Sequence, residues 1–309
     1  MFGASSSTVD PAGRTVLVTG ASSGLGREAA LGLARAGFQV VAGVRALDDG
    51  ERLAEEAAAR LRPVLLDVTE PESVAAAAEQ VARAVGVRGL WGLVNNAGIC
   101  VSAPLECVAP EVLRRQLDVN VVGQLAVTQA VLPLLRDARG RVVNVTSGVG
   151  NVAVPYLGAY AAAQFAKEGM SDALRRELRP LGVDVSVVQP GSIMTPIWGK
   201  IAESGHDVLD RVPAEIADLY RESFPRFLEA NEKTAIASKT TPADFARTVR
   251  RALTAARPKT RYRVGTDART VAVLARLLPD SLLDRQFRAV VGPPRTAAGD
   301  PAGNRLRPV

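Results

Sequence analysis

Thr19-Gly20-Ala21-Ser22-Ser23-Gly24-Leu25-Gly26 places three glycines directly after the β-branched run Thr15-Val-Leu-Val-Thr19. Glycines at such a junction permit a tight turn and let the backbone approach a pyrophosphate, which then rests on the N-terminus of the following helix. In this strand–turn–helix setting the motif predicts a dinucleotide site, with Gly20, Ser22, Ser23, Gly24, Leu25 and Gly26 as its contacts. About 20 residues further on, an acidic side chain would accept the ribose 2′-hydroxyl of NAD. This chain has Ala42-Gly-Val-Arg45 there. Arg45 suits a 2′-phosphate and favours NADP(H) over NAD(H), although Asp48 and Asp49 stand close by and weaken the preference. Asp67-Val68 ends a third strand pattern, where a carboxylate can meet an adenine amine. Asn95-Asn96-Ala97-Gly98 ends a fourth, with small residues past which a flat ligand can slide. Ligands bind at the carboxyl edges of parallel strands, so these positions converge on one crevice.

Taken with Asn120 in Leu-Asp-Val-Asn120, Ser147, Tyr160, and Pro190-Gly191 followed by Thr195, the pattern resembles the short-chain dehydrogenase/reductase superfamily over residues 14 to 265. Ser147 precedes Tyr160 by 13 residues, the family spacing, and Pro190-Gly-Ser-Ile-Met-Thr-Pro196 is most similar to the branch of 17β-hydroxysteroid and retinol dehydrogenases. The resemblance implies roles. Tyr160 passes a proton to or from the substrate oxygen while hydride moves at the nicotinamide; Ser147 orients that oxygen; Asn120 supports a proton relay through a water; Pro190, Gly191, Ile193 and Thr195 hold the carboxamide end. In the family a lysine four residues after the tyrosine binds the nicotinamide ribose and holds down the phenol's pKa. Here that position is Gln164.

Residues four apart share a helix face, so a lysine at 164 would sit beside the phenol. A free tyrosine has a pKa of about 10, and a cation within about 4–6 Å shifts a neighbour by roughly 1–3 units. Its loss should cost on the order of 10- to 1000-fold wherever tyrosinate must form at neutral pH. Alcohol oxidation needs that anion; ketone reduction needs the neutral phenol and suffers less. Gln164 can still hydrogen-bond a ribose hydroxyl. Lys167 lies three residues beyond Gln164; it reads as a solvated helix lysine, with partial compensation for the missing charge as the alternative. Two activities are therefore expected: an NADP(H)-dependent ketoreductase or alcohol dehydrogenase for a lipophilic substrate, or a non-redox member (cyclase, isomerase, dehydratase or cofactor-binding regulator) that keeps the pocket.

The elements that must position these residues alternate. Strand patterns at about 15–19, 38–44, 63–66, 90–95, 141–146, 183–188 and 260–264 are separated by helical patterns at about 26–36, 50–60, from Pro71, 110–135 and 156–178. Strands alternating with helices predict an α/β fold, a Rossmann-type doubly wound parallel sheet. Residues 1–13 read as an N-terminal extension, 14–290 as one Rossmann-type domain with a helical substrate flap over 194–240, and 291–309 as a flexible Pro/Gly/Arg-rich tail.

The 309 residues, 47% hydrophobic and 23% charged, suit one large domain with ample core. No apolar run reaches the ~18 residues a membrane helix needs, and the N-terminus lacks a signal-peptide pattern, so stable membrane insertion is not expected. Two cysteines, Cys100 and Cys107, are too few for a disulfide framework, which makes a reduced cytoplasm the natural compartment. The net charge of +6 is spread without a basic, aromatic-interleaved stripe, against a nucleic-acid partner. His206 is the single histidine, so neither a histidine-based metal site nor a Ser-His-Asp triad is expected. By resemblance, the helices near 110–135 and 156–178 pair two copies into a homodimer or homotetramer.

Overall fold

A computed structural model describes residues 8–57 and 59–292. The elements run β1 (Thr15–Thr19), α1 (Gly24–Arg35), β2 (Gln39–Val44), α2 (Leu47–Glu55), β3 (Leu61–Leu65), α3 (Pro71–Val85), β4 (Gly92–Asn95), α4 (Pro110–Leu117), α5 (Gly123–Asp137), β5 (Arg141–Val145), α6 (Gly158–Leu178), β6 (Asp184–Pro190), α7 (Ile197–Leu209), α8 (Ala214–Tyr220), α9 (Ser223–Ala237), α10 (Pro242–Thr254), β7 (Arg261–Val264), α11 (Thr266–Leu277) and α12 (Asp280–Val291). The strands pair in parallel in the order β3-β2-β1-β4-β5-β6-β7, which is the doubly wound arrangement expected. The chain reverses direction across the sheet between β1 and β4, and that switch point opens the crevice into which Gly20 and Asn96 project from adjacent strand ends.

Both faces of the sheet are covered, so its strands are apolar without interruption. Val16 and Val18 of β1 face α1 and α10 with Ala29, Phe245 and Val249. Leu17, between them, faces the other way, toward α3, α5 and α6 with Val81, Val131 and Leu178. Period-2 side-chain alternation thus sorts one strand into two cores. Pro63 lies inside β3, which is tolerated because β3 is an edge strand and needs fewer ladder donors.

Several boundaries differ from the sequence expectation. α2 begins at Leu47 rather than near 50, with Asp48 and Asp49 in its first turn, where carboxylates favour a helix N-terminus. The single helix expected over 110–135 is interrupted by a π-helical turn, Asp118–Val122, in which the Gly123 N–H bonds the Asp118 carbonyl. Against the expectation that no helix is long and apolar enough to span a membrane, the stretch Pro110–Asp137 is so by length and composition, with a mean hydropathy of 1.3. Its polar residues serve the fold: Gln124 donates to the Ala97 carbonyl and Thr128 to the Gln124 carbonyl. Of the N-terminal extension, residues 1–7 lie outside the described residues, while the Val9 N–H bonds the Thr254 carbonyl at 2.7 Å. Helix α12 runs to Val291, which is buried against Phe224 and Phe227; residues 293–309, most of the expected tail, lie outside the described residues.

Candidate active site

At the C-terminal end of β1 the glycine turn closes tightly. A Cβ on Gly26 would fall 2.2 Å from the Gly20 carbonyl oxygen and 2.4 Å from Asn96 Nδ2, so no side chain fits there. Asn96 Nδ2 donates to the carbonyls of Thr19 (3.1 Å) and Gly20 (3.2 Å), and Thr19 Oγ1 accepts from the N–H groups of Asn96 (3.0 Å) and Ala97 (2.9 Å). The loops after β1 and β4 are therefore braced to each other. Ser23 is the N-cap of α1, exposed and making no side-chain capping bond, and the first turn holds no acidic residue. With Ser22 and Leu25 partly exposed beside it, this helix start is open to an anion. The residues fit a pyrophosphate.

At the neighbouring strand ends, Arg45 follows β2 and is exposed. Asp49 is engaged by Arg52, so one of the two nearby carboxylates is taken. Asp67 accepts from the Thr69 N–H (2.9 Å) and hydroxyl (2.7 Å). The Thr69 N–H first, then its hydroxyl and the Arg45 charge, hold the Asp67 carboxyl below its usual range against a raising effect of burial. Val68 behind it is buried and Gly98, past Ala97, is exposed. On the far side, a Cβ on Gly191 would collide with the Asp267 carboxylate at 2.1 Å. Asp267 accepts from the Ser192 N–H at 2.6 Å, tying the turn after Pro190 to α11. Asp267 carries no motif signal, since it reaches this turn from 75 residues on. Ile193 is buried, and Thr195 leans over the glycine turn, 3.9 Å from where a Gly24 Cβ would be.

Ser147 and Tyr160 come together as expected. Ser147 ends the β5 edge, its Oγ accepting from the Val149 N–H at 3.3 Å, and its side chain stands by Tyr160 in the first turn of α6. Burial pushes the Tyr160 phenol above its ordinary range, the Cys100 thiol adds to that, and the Ser147 side chain pulls it partly back. Cys100, half-buried and beside the phenol, is a site residue that motif reasoning missed; its only signal was its place two residues after Gly98. Asn120 lies in the π-helical turn with its side chain held to the loop after β4: Oδ1 accepts from the Ile99 N–H at 2.9 Å, and Nδ2 donates to the Ile99 carbonyl at 3.0 Å. π-turns of this kind are frequent at functional sites.

Gln164 is 3% exposed and its Oε1 is enclosed without a hydrogen-bond partner among the described residues. A buried, unpaired amide oxygen is costly, and a ribose hydroxyl would satisfy it. Lys167 is not the solvated lysine expected. It is 1% exposed, and Nζ donates to the carbonyls of Val145 (2.6 Å) and Asn95 (3.2 Å). The reason is helical phase: Ala163, Gln164, Lys167, Glu168 and Ser171 form the inward stripe of α6. Burial lowers the Lys167 pKa to about 7, with Glu168 opposing.

Helices α7 to α9 pack on the loop after β4 and the loop before α6. Val208 joins Val101, Ala103, Cys107 and Ala159 in an apolar cluster. Tyr156, with φ +64°, meets Tyr220, Phe224 and Phe227 edge-on at 6.1, 5.6 and 5.3 Å between centroids. Its hydroxyl donates to Ser223 at 2.9 Å. The insert is thus held to the loop before α6 by an aromatic lock.

A family model described as short chain dehydrogenase matches residues 14–205. The chain is 44% identical over 274 residues to a 3-amino-tetrahydro-pyrrolizinone reductase of Xenorhabdus hominickii, covering 89% of this chain and 94% of that protein. It is 40% identical over 274 residues to the 17-beta-hydroxysteroid dehydrogenase type 6 of Bos taurus, covering 87% and 86%. A solved short chain dehydrogenase from Burkholderia cenocepacia in complex with NADP superposes with a TM-score of 0.69 at 26% identity, covering 90% of this chain and 98% of that one. One from Burkholderia phymatum in complex with NAD gives 0.75 at 20% identity, covering 89% and 96%, a likeness of fold.

Proposed function

The chain belongs to the short-chain dehydrogenase family and is an oxidoreductase of that family using a nicotinamide cofactor; on that premise we propose that it is an NADP(H)-dependent reductase of a ketone-type group on an apolar substrate. The observation that carries the direction is the setting of Tyr160. Its phenol is held protonated by burial, and position 164, one turn on, is uncharged. A phenol kept neutral is a proton donor, and a poor base. The name of the Xenorhabdus relative, a reductase, points the same way, and the dehydrogenase and reductase names among the relatives favour redox chemistry over the non-redox alternative.

When bound, a nicotinamide would supply hydride for a carbonyl carbon. As the C=O π bond breaks, Ser147 orients the oxygen, and Tyr160 Oη gives it a proton, leaving an alcohol and a phenolate that solvent reprotonates. Arg45, exposed at the end of β2, supports NADP(H) through charge-assisted bonding to a 2′-phosphate. Gln164 supports ribose binding through its unpaired amide oxygen. The steroid dehydrogenase among the relatives supports a lipophilic substrate.

The test is NADPH and NADH titration followed by NADPH consumption against a ketone panel. Tyr160→Phe should cut reductive turnover by about 10²- to 10⁴-fold, the usual worth of a positioned acid, with cofactor affinity unchanged. Equal turnover in the variant would remove Tyr160 as the acid.

A further inference from the structure

Lysine is almost never fully buried unless paired, and Lys167 is enclosed at 1% exposure. Its pairing is specific. Val145 is the last residue of β5 and Asn95 the last of β4, and Nζ bonds both carbonyls. The next residue after Asn95 is Asn96, which braces the glycine turn; two after Val145 is Ser147. Helical side chains tilt toward the helix N-terminus, so Lys167 runs back along α6 toward Gln164 and Tyr160. The charged group next to it on α6 is Glu168, itself engaged by Arg261 of β7 at 3.0 Å. From β4 and β5 it meets the Asn95 and Val145 carbonyls, and α5 contributes the neutral Thr128, bonded to Asn95.

We propose that Lys167 is a positioning residue of the active site, which fastens the ends of β4 and β5 from beneath and supplies, one helical turn deeper, the basic group absent from position 164. This rests on the cofactor reading above. Lys167 touches neither substrate nor cofactor; it acts through Asn96 and Ser147, while Gln164 keeps the hydrogen-bonding share of the work.

The experiment compares wild type, Lys167→Met, Gln164→Lys and the double variant by NADPH dissociation constant from fluorescence, thermal midpoint, and the pH profile of NADPH binding. Wild type should show an inflection near pH 7; Lys167→Met should abolish it and weaken NADPH binding about tenfold, the weight of one pKa unit. Gln164→Lys alone sets two ammonium groups a turn apart and should lower the midpoint. The double variant should recover both midpoint and NADPH affinity to within about threefold of wild type. A Lys167→Met protein that binds NADPH within twofold of wild type with the inflection intact overturns the proposal, as do effects at 164 and 167 that simply add. If wild type binds neither NADPH nor NADH, the cofactor reading falls by itself, and additive or non-additive thermal midpoints still decide whether the two positions share one role.

Discussion

Lys167 makes the fold's stability rise with pH, as a carboxylate of depressed pKa does, but across a neutral-to-alkaline window. Its pKa drops from 10.5 to about 7 on burial. Between those values the unfolded chain holds a proton that the folded one does not, so stability rises with pH across that window and is flat below it. From about pH 7.5 to 9.5 this single group should add about 2–3 kcal/mol. Urea midpoints at the two pH values check this, and Lys167→Met should remove the rise. At the crevice's other end Arg45 sets a second expectation. A hydrogen bond to a charged group is worth about 1.5–3 kcal/mol, so Arg45→Ala should weaken NADPH binding roughly 10- to 100-fold and leave NADH binding within a factor of two. Equal losses for both cofactors would place Arg45 away from the 2′-position.

At the scale of elements, the insert α7–α9 is held to the domain by few, large contacts. Phe224 is fully buried between Tyr156 and Phe227, and Phe→Ala in a core costs about 3–5 kcal/mol. Phe224→Ala should therefore raise hydrogen exchange across 197–237 while β1 to β6 stay protected, because the aromatic lock is local and the sheet's two cores do not include it. Uniform loss of protection would mean that the insert and sheet unfold as one unit. What was legible in the sequence follows the same division between local and distant causes. The seven strands, the glycine turn and the Ser147–Tyr160 pair were readable because period-2 runs, glycine junctions and fixed spacing are local properties. The π-turn around Asn120 was not, since nothing in Asp118–Val122 itself marks the extra residue per turn. The burial of Lys167 was hidden because α6 carries alanine or glycine on nearly every face, leaving its apolar stripe without contrast. The aromatic lock depends on the positive φ of Tyr156 and on a partner helix some 70 residues away in sequence, Ser223 included.

For the whole molecule, the surface left over on the α3–α5–α6 side is what asks for a second copy. On α6 the exposed residues Ala162, Phe165, Ala166, Gly169 and Ala173 recur at helical spacing, with Phe165 46% exposed. Beside them the Pro110–Asp137 stretch combines a mean hydropathy of 1.3 with only 33% of its apolar window buried. Small residues let helices approach closely, and contiguous exposed apolar patches are where interaction surfaces are usually found. A twofold pairing of α5 and α6 with their counterparts would be self-complementary and needs about 800 Å² from each partner to be stable. Light scattering should give twice or four times the 32.5 kDa chain mass. Phe165→Glu places a charge at the centre of the paired face and should shift the mass to the monomer. The inward stripe of α6, where Gln164 and Lys167 lie, points away from that face, so NADPH affinity should survive the split within about threefold, under 1 kcal/mol. A single-chain mass for wild type at micromolar concentration would show that α5 and α6 serve one subunit alone.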